Sequence, residues 1–295
     1  MNWLTNFVKP KLLAIKSKLG KKENLWTKCT SCQQIIFTKE LKENLYVCDN
    51  CNYHLSMPVI DRLETIYDNK KYEEIFVEKV IEDPLRFKDK MKYSDRLSKA
   101  RKKFNLEDSI KVVKGKLNNI RLITAIMDFR FMGGSMGMQV GEGIVKAADE
   151  ANQLQLEYFI QKIKKAAGKS LGECSFMIWG LSFKPETDDI RESLAIKLIK
   201  AISKQVGGFY LYDPVAIGNA KRELDGISNL HFIKNKYSKI EQCDFLVICT
   251  EWKEFWDPDM KKLKKLKGKK VFDGRNILDQ QAFIDAGIEY HGVGR

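Results

Sequence analysis

Two C-x-x-C pairs, Cys29-Thr-Ser-Cys32 and Cys48-Asp-Asn-Cys51, stand fifteen residues apart near the front of the chain. Two intervening residues let both sulfurs of a pair approach one point, and the longer gap accommodates a hairpin that brings the pairs together around one tetrahedral ion. Zinc is the default ion for four thiolates. Four soft ligands leave no open coordination position, so the expected role is structural rather than catalytic. A rubredoxin-like iron site and four unrelated buried cysteines are the alternatives. The other three cysteines, Cys174, Cys243 and Cys249, are scattered among apolar residues and are expected to act as small buried hydrophobes. This distribution is no disulfide framework and fits a reducing compartment.

A second candidate chemistry lies in the back half. Lys184 and Arg191 follow the expected strand CSFMIWGLSF, and Arg275 follows another in KKVFDGR. Open α/β sheets bind ligands at the carboxyl ends of parallel strands, and guanidinium groups there suit a diphosphate. Ordinary surface cations are the alternative. A third candidate is the loop FMGGSMGMQVGEG, where Gly133 and Gly134 remove side chains next to a following helix that starts near Val140 and continues through Ala151. The loop matches neither the dinucleotide fingerprint nor the P-loop, so a plain turn is the simpler reading.

The elements that must position these groups follow from patterning. At 295 residues, with 44% hydrophobic content, the chain is long enough for about two domains. Residues 1–22 form a basic amphipathic lead, and 59–105 are charged and helix-prone, with a basic run from Lys99 to Lys103. IKVVKGKL and IRLITAIMDF read as two strands joined by a tight turn at Asn118-Asn119. NQLQLEYFIQKIKKAAG then reads as helical. Beyond it, CSFMIWGLSF, FYLYDP, LHFI, DFLVICT, KKVFDG and IEYHGVG read as strands; SLAIKLIKAISKQ, AIGNAKREL, KYSKIEQ, DPDMKKLKKLK and DQQAFIDAG read as the helices between them. That alternation predicts a parallel sheet with helices on both faces. A net charge of +13 favours polyanionic partners such as RNA or phosphorylated cofactors, and Lys28, Lys39 and Lys42 make nucleic-acid binding by the front module an option. No apolar run approaches the length of a membrane span, so a soluble, unprocessed, cytoplasmic chain is expected.

In order along the chain, MNWLTNFVKP, LWTKC, ENLYVCDNC, DPLRFKDKMKYSDRL and MDFRFMGGSMGMQVGEGIVKAADEA resemble the beta subunit of bacterial acetyl-CoA carboxylase carboxyltransferase. The resemblance implies a zinc ribbon with Cys29, Cys32, Cys48 and Cys51 as ligands, and the beginning of a crotonase-like core. It also implies a carboxyltransferase alpha subunit and a biotin carboxyl carrier as partners, and transfer of a carboxyl group from carboxybiotin to acetyl-CoA to make malonyl-CoA. Gly133 and Gly134 are the residues expected to let backbone N–H groups approach a thioester. The likeness stops near Ala151, whereas the family's core continues with further strands and a second glycine pair.

From about residue 152, IWGLSFKPETDDIRES, YLYDPVA, DFLVICTEWKEF, KKVFDGRNILD and YHGVGR resemble the C-terminal domain of UDP-glucose 6-dehydrogenase or a close nucleotide-sugar dehydrogenase. The resemblance implies that Phe183 and Lys184 belong to a UDP-sugar pocket, that Arg191 faces NAD and that Arg275 contacts substrate. Asp188, Asp189 and Glu192 are expected to hold the loop and cap the next helix, and Glu251-Trp252 to close the site or pack in the core. That family's glycine-rich NAD domain and its cysteine nucleophile motif have no counterpart in these strings. The expectation is therefore an α/β composite: lead 1–22, zinc ribbon 23–58, partial crotonase-like segment 59–151 and a Rossmann-like domain 152–295. Carboxyltransferase beta-like function with little activity alone leads. A UDP-glucose dehydrogenase lacking its NAD domain and a non-catalytic zinc-ribbon binder of RNA or UDP-sugar are the rivals.

Overall fold

The computed structural model describes residues 25–167 and 171–294; the basic lead 1–22 lies outside them. The chain divides into two units, 1–150 and 151–295.

In the first unit, strands β1 (Trp26–Lys28) and β2 (Ile35–Phe37) form an antiparallel hairpin that runs directly into the helix Thr38–Glu43. Its core is small: Cys29, Ile36, Leu41, Tyr46 and Cys48 are the buried members. Further on, β3 (Tyr72–Glu74), β4 (Ile110–Leu117) and β5 (Ile120–Met127) make a three-stranded antiparallel sheet in that order. The β4–β5 turn is the expected one. Asn118 and Asn119 both take left-handed backbone at φ 51° and 64°, the geometry that matches strand twist in a two-residue hairpin, and the Asp68 carboxylate accepts from both their N–H groups. The stretch expected to be simply helix-prone contains two helices, Val59–Ile66 and Tyr93–Phe104, with β3 between them. The basic run sits at the second helix's carboxyl end, where cations offset the helix dipole. The helix expected to start near Val140 begins at Met138 and runs unbroken to Ala167, because no glycine or proline after Gly143 interrupts it.

The second unit is a six-stranded, wholly parallel sheet. Its strands are β6 (Ser175–Trp179), β7 (Gly208–Tyr212), β8 (Leu230–Phe232), β9 (Phe245–Ile248), β10 (Lys270–Asp273) and β11 (Glu289–Gly292), in spatial order β11-β10-β9-β6-β7-β8. This is the doubly wound order, with the switch point between β6 and β9. Alternate residues feed two cores. Phe176, Ile178, Phe209, Leu211, Phe245, Val247 and Phe272 face the helix Leu194–Ile202, together with Phe159 and Ile163 of the long helix. Met177, Trp179, Leu246, Ile248 and Val271 face Leu263, Leu266 and Phe283 on the other side. Helices therefore cover both faces, as the alternation predicts.

Three segments differ from what their sequence predicts. KYSKIEQ forms turns and the short 3-10 helix Ile240–Gln242, since Lys239 takes φ 65° and stops a helix from propagating. DPDMKKLKKLK is α-helical only over Met260–Leu263. Cys249, expected within a strand, lies just past the end of β9.

Candidate functional site

The two C-x-x-C pairs occupy matching turns. Cys29 N–H donates to Gln34 O and Gln33 N–H to Cys29 O; in the second pair, Cys48 N–H donates to Tyr53 O and Asn52 N–H to Cys48 O. Gln33 and Asn52 hold left-handed backbone at φ 63° and 57°, which folds each turn back and leaves its sulfurs on one side. The four sulfurs all lie within 4.8 Å of one another, with 3.7 Å between Cys29 and Cys51 and between Cys32 and Cys48. Sulfurs about 2.3 Å from a tetrahedral zinc ion stand about 3.8 Å apart, so the donor set fits such an ion. The side chain of Asn50 and the N–H of Gln34 hold the Cys32 thiol down to about 6, whereas burial pushes Cys48 up to about 11. N–H donors aimed at sulfur stabilise thiolate, the form that ligates metal. Of the ribbon lysines singled out above, Lys39 reaches Glu43 at 3.9 Å and Lys42 reaches Asp61 at 3.7 Å, so two of the three already face carboxylates.

The glycine loop closes as a tight turn. Gly133 and Gly134 have φ 69° and 73°, and a Cβ on Gly134 would lie 2.7 Å from the Phe129 ring. Gly134 N–H donates to Phe131 O at 2.9 Å, which engages one of the two expected thioester donors in the turn itself. Arg130 clamps the buried Asp128 just upstream, and the Arg130 guanidinium holds that carboxyl below its usual range. The sequence did not single out this pair.

At the switch point of the second unit, the loop after β6 meets the loop after β9. Gly180, at φ 89°, packs so closely that a Cβ would lie 2.5 Å from that of Thr250. Thr250 Oγ1 donates to Ser182 O. The candidate cations gather around these loops. Arg275 donates through Nε to Cys249 O at 2.8 Å and through Nη2 to Phe183 O at 3.1 Å, using two of its five N–H donors, while the Glu251 carboxylate lies 3.1 Å from Nε. Arg191 is bidentate to Asp189, whose carboxyl is held at about 2 chiefly by that guanidinium, with Lys184 adding its charge. The Arg191 side chain is 86% exposed. Asp189 also accepts the Arg191 N–H, so it holds the loop as expected; the residue at the next helix's amino end is Ser193, and Glu192 pairs with Lys197.

Asp213, at the carboxyl end of β7, was missed by sequence reasoning. This buried carboxylate accepts from the N–H groups of Leu181, Ser182, Val215 and Ala216 and from Trp252 Nε1, tying three loops together. Asp-Pro directly after a strand was its only signal. Trp252 thus serves packing and loop anchoring together. A cavity of about 380 Å³ lies above these loops, bounded by Pro185, Glu186, Pro214, Trp252 and Trp256 among others. Burial pushes the thiols of Cys243 and Cys249 up to about 12, which fits inert spacers and not nucleophiles. Among the described residues, no helix is long and apolar enough to cross a membrane.

Comparison with known proteins splits along the same line. Residues 26–51 match the acetyl-CoA carboxylase zinc finger domain, and residues 177–280 match the UDP-glucose/GDP-mannose dehydrogenase family, UDP binding domain. The acetyl-coenzyme A carboxylase carboxyl transferase subunit beta of Jannaschia sp. is 40% identical over 155 residues, covering 52% of this chain and 49% of that protein. Its counterpart from Nitrobacter hamburgensis is 41% identical over 177 residues, covering 60% and 56%. The chain spans about half the length of the curated relatives it matches. Among solved structures, a UDP-glucose dehydrogenase from Pyrobaculum islandicum is 24% identical with a TM-score of 0.42, over 55% of this chain and 34% of that one. A UDP-D-ManNAc dehydrogenase from Pyrococcus horikoshii is 22% identical with a TM-score of 0.41, over the same shares. The chain is a composite of segments similar to two families.

Proposed function

We propose that the chain is a carboxyltransferase beta-like protein in which Cys29, Cys32, Cys48 and Cys51 hold one structural zinc ion. The observation that carries this reading is the four-sulfur cluster, with spacing suited to one ion, inside a segment about 40% identical to carboxyltransferase beta subunits. Its organisation is a lead 1–22, a ribbon 23–58, a carboxyltransferase-like segment 59–151 with a partial crotonase-like core, and a dehydrogenase-like domain 152–295. Its partners are a carboxyltransferase alpha subunit, a biotin carboxyl carrier and acetyl-CoA or malonyl-CoA, and its compartment is the cytoplasm. Carboxyl transfer needs backbone donors fixed where the thioester oxygen gains charge, and the loop at Gly133 and Gly134 is the segment assigned to that approach. One of those donors closes its own turn, and about half of each relative's length has no counterpart here, so little turnover is expected from this chain. The test mixes the chain with an alpha subunit and a carboxybiotin carrier. Association with malonyl-CoA formation near background is the expected result. No association overturns the reading, and turnover approaching that of an ordinary two-subunit complex overturns the expectation of little activity.

The match over residues 177–280 favours a second capacity for the rear unit, holding a UDP-sugar through Phe183, Lys184 and Arg275. Arg191 is the residue assigned toward NAD, although Asp189 already occupies its guanidinium. Oxidation of the sugar is not expected, because Cys243 and Cys249 are buried with raised thiols. Calorimetry with UDP should show binding that weakens in Arg275→Ala, with no UDP-glucose-dependent NADH formation. Nucleic-acid binding by the ribbon is the weaker option; salt-sensitive RNA binding lost in Cys48→Ser would revive it.

A further inference from the structure

The basic run at the end of helix Tyr93–Phe104 belongs to a larger cationic surface. Residues 81–104 hold nine Lys and Arg against four Asp and Glu, and two of those four acids are engaged in clamps. Arg101 reaches Glu82 at 2.6 Å near the helix's carboxyl end, and Arg96 holds both oxygens of Asp89 at 2.6 Å near its amino end. Segment 82–89 is therefore anchored at both ends to one helix and arches between the anchors. Turns within the segment fix the arch: Asp83 Oδ1 accepts the Phe87 N–H, Phe87 O accepts the Tyr93 N–H, and Arg86 holds left-handed backbone at φ 50°. At its apex, residues 84–90 are all exposed, with Leu85 at 88% and Phe87 at 56%. Two apolar side chains are thus held in solvent by a pinned loop.

The cations around them lack acidic partners. Among the described residues, Lys88, Lys90, Lys92, Lys99, Lys102 and Lys103 pair with no carboxylate; Lys99 reaches Met91 Sδ at 3.6 Å and Lys103 lies over the Phe104 ring. Lys88 and Lys92 stand opposite each other in an antiparallel bridge, an arrangement in which like charges repel and a bound anion relieves the repulsion. Lys92, Lys99 and Lys103 also fall within about 40° of one another around the helix axis, in a row of about 16 Å. That row points away from Leu97 and Ala100, the buried residues of the helix.

We propose that the arch and the lysine row dock the chain peripherally on an anionic lipid bilayer. Leu85 and Phe87 enter the boundary between headgroups and acyl chains, and the lysines meet lipid phosphates. The combination of an apolar apex with surrounding lysines selects this occupant. A nucleic acid would engage the lysines but leave Leu85, which has no ring to stack on a base, in water. A protein interface has an apolar centre but is poor in lysine. A bilayer accepts both features, because lysine stems lie along the apolar boundary while their heads stay among the phosphates. Such attachment needs no membrane-spanning helix, and it requires neither the zinc ion nor carboxyl transfer.

Co-sedimentation of the full chain with lipid vesicles is the test. The chain should bind vesicles of equal phosphatidylglycerol and phosphatidylcholine, should not bind pure phosphatidylcholine, and should dissociate at about 0.5 M NaCl. Leu85→Ser combined with Phe87→Ser should weaken binding about 30-fold or more. Lys92→Gln, Lys99→Gln and Lys103→Gln together should weaken it about 100-fold, roughly fivefold per charge. Lys261→Gln, Lys264→Gln and Lys265→Gln together remove the same charge from the rear unit and should leave binding as in the wild type. All the substituted positions are exposed, so circular dichroism should be unchanged. A chain that does not bind anionic vesicles overturns the proposal. So does a folded apex variant that binds as before, or a rear-unit variant weakened as much as the front one, which would report net charge alone. Single-stranded RNA binding that is lost in the front lysine variant and kept in the apex variant, without vesicle binding, would assign the surface to a polyanion instead. If the front lysine variant fails to fold, the apex and rear-unit variants decide.

Discussion

Strands β5 and β9 are built from similar residues and end in opposite environments. Phe245, Leu246, Val247 and Ile248 of β9 are all buried, with β6 and β10 on either side and a helical layer against each face. Among the described residues β5 has one neighbouring strand, and none of its own eight is buried. Apolar composition therefore does not fix burial; the number of layers a unit can assemble does. The rear unit completes both faces of its sheet, and each large side chain buried there contributes about 1.5–3 kcal/mol. The described residues of the front unit form three small clusters, and the ribbon core is so slight that metal ligation must supply folding energy in place of buried area.

The contrast breaks most visibly at the metal. Stripping the ion, or Cys48→Ser, should unfold the ribbon, since structural zinc sites contribute about 10 kcal/mol or more. Hydrogen exchange should accelerate across residues 25–57 and stay unchanged across the strands of the rear sheet. Phe272→Ala is the reverse experiment. This ring is fully buried against Phe159 and Phe245, and truncation should cost the rear unit about 3–5 kcal/mol in a denaturant titration. Asp213→Asn, which turns one accepting oxygen into a donor among N–H groups, should cost about 2 kcal/mol. Ile123→Ala in β5 should cost about 1 kcal/mol or less in the same titration, because the side chain is only half-buried there.

The smallest effect concerns pH. Arg191 lowers the Asp189 carboxyl from 3.8 to about 2, so the pair's contribution is complete above the ordinary carboxylate range and is lost as pH falls toward 2. Thermal midpoints followed from about pH 4 down to about pH 2 should show that loss for the wild-type chain and not for Asp189→Asn. Solvent around Asp189 keeps the difference slight.

Much of this arrangement could be read from short-range signals. The cysteine spacing marked the two matching turns, Asn118-Asn119 marked a hairpin whose backbone demands left-handed residues, and the alternation after residue 170 marked the parallel sheet. The rest depends on partners distant in sequence. Asp213 matters because Leu181, Ser182 and Trp252 converge on it from two other loops, and no local pattern encodes that convergence. KYSKIEQ has a helical composition, but the left-handed Lys239 limits it to a 3-10 turn. Arg191 carried the expected cation, while its engagement by Asp189 two residues earlier was visible only in three dimensions.

The central claim is that four sulfurs gather one ion in the front unit while buried area sustains the rear. X-ray absorption at the metal edge of the freshly purified full chain, combined with elemental analysis, tests it most directly. The account predicts one zinc ion per chain with four sulfur neighbours at about 2.3 Å. A metal-free chain whose ribbon still resists hydrogen exchange, or an ion held by two sulfurs or fewer, would contradict it.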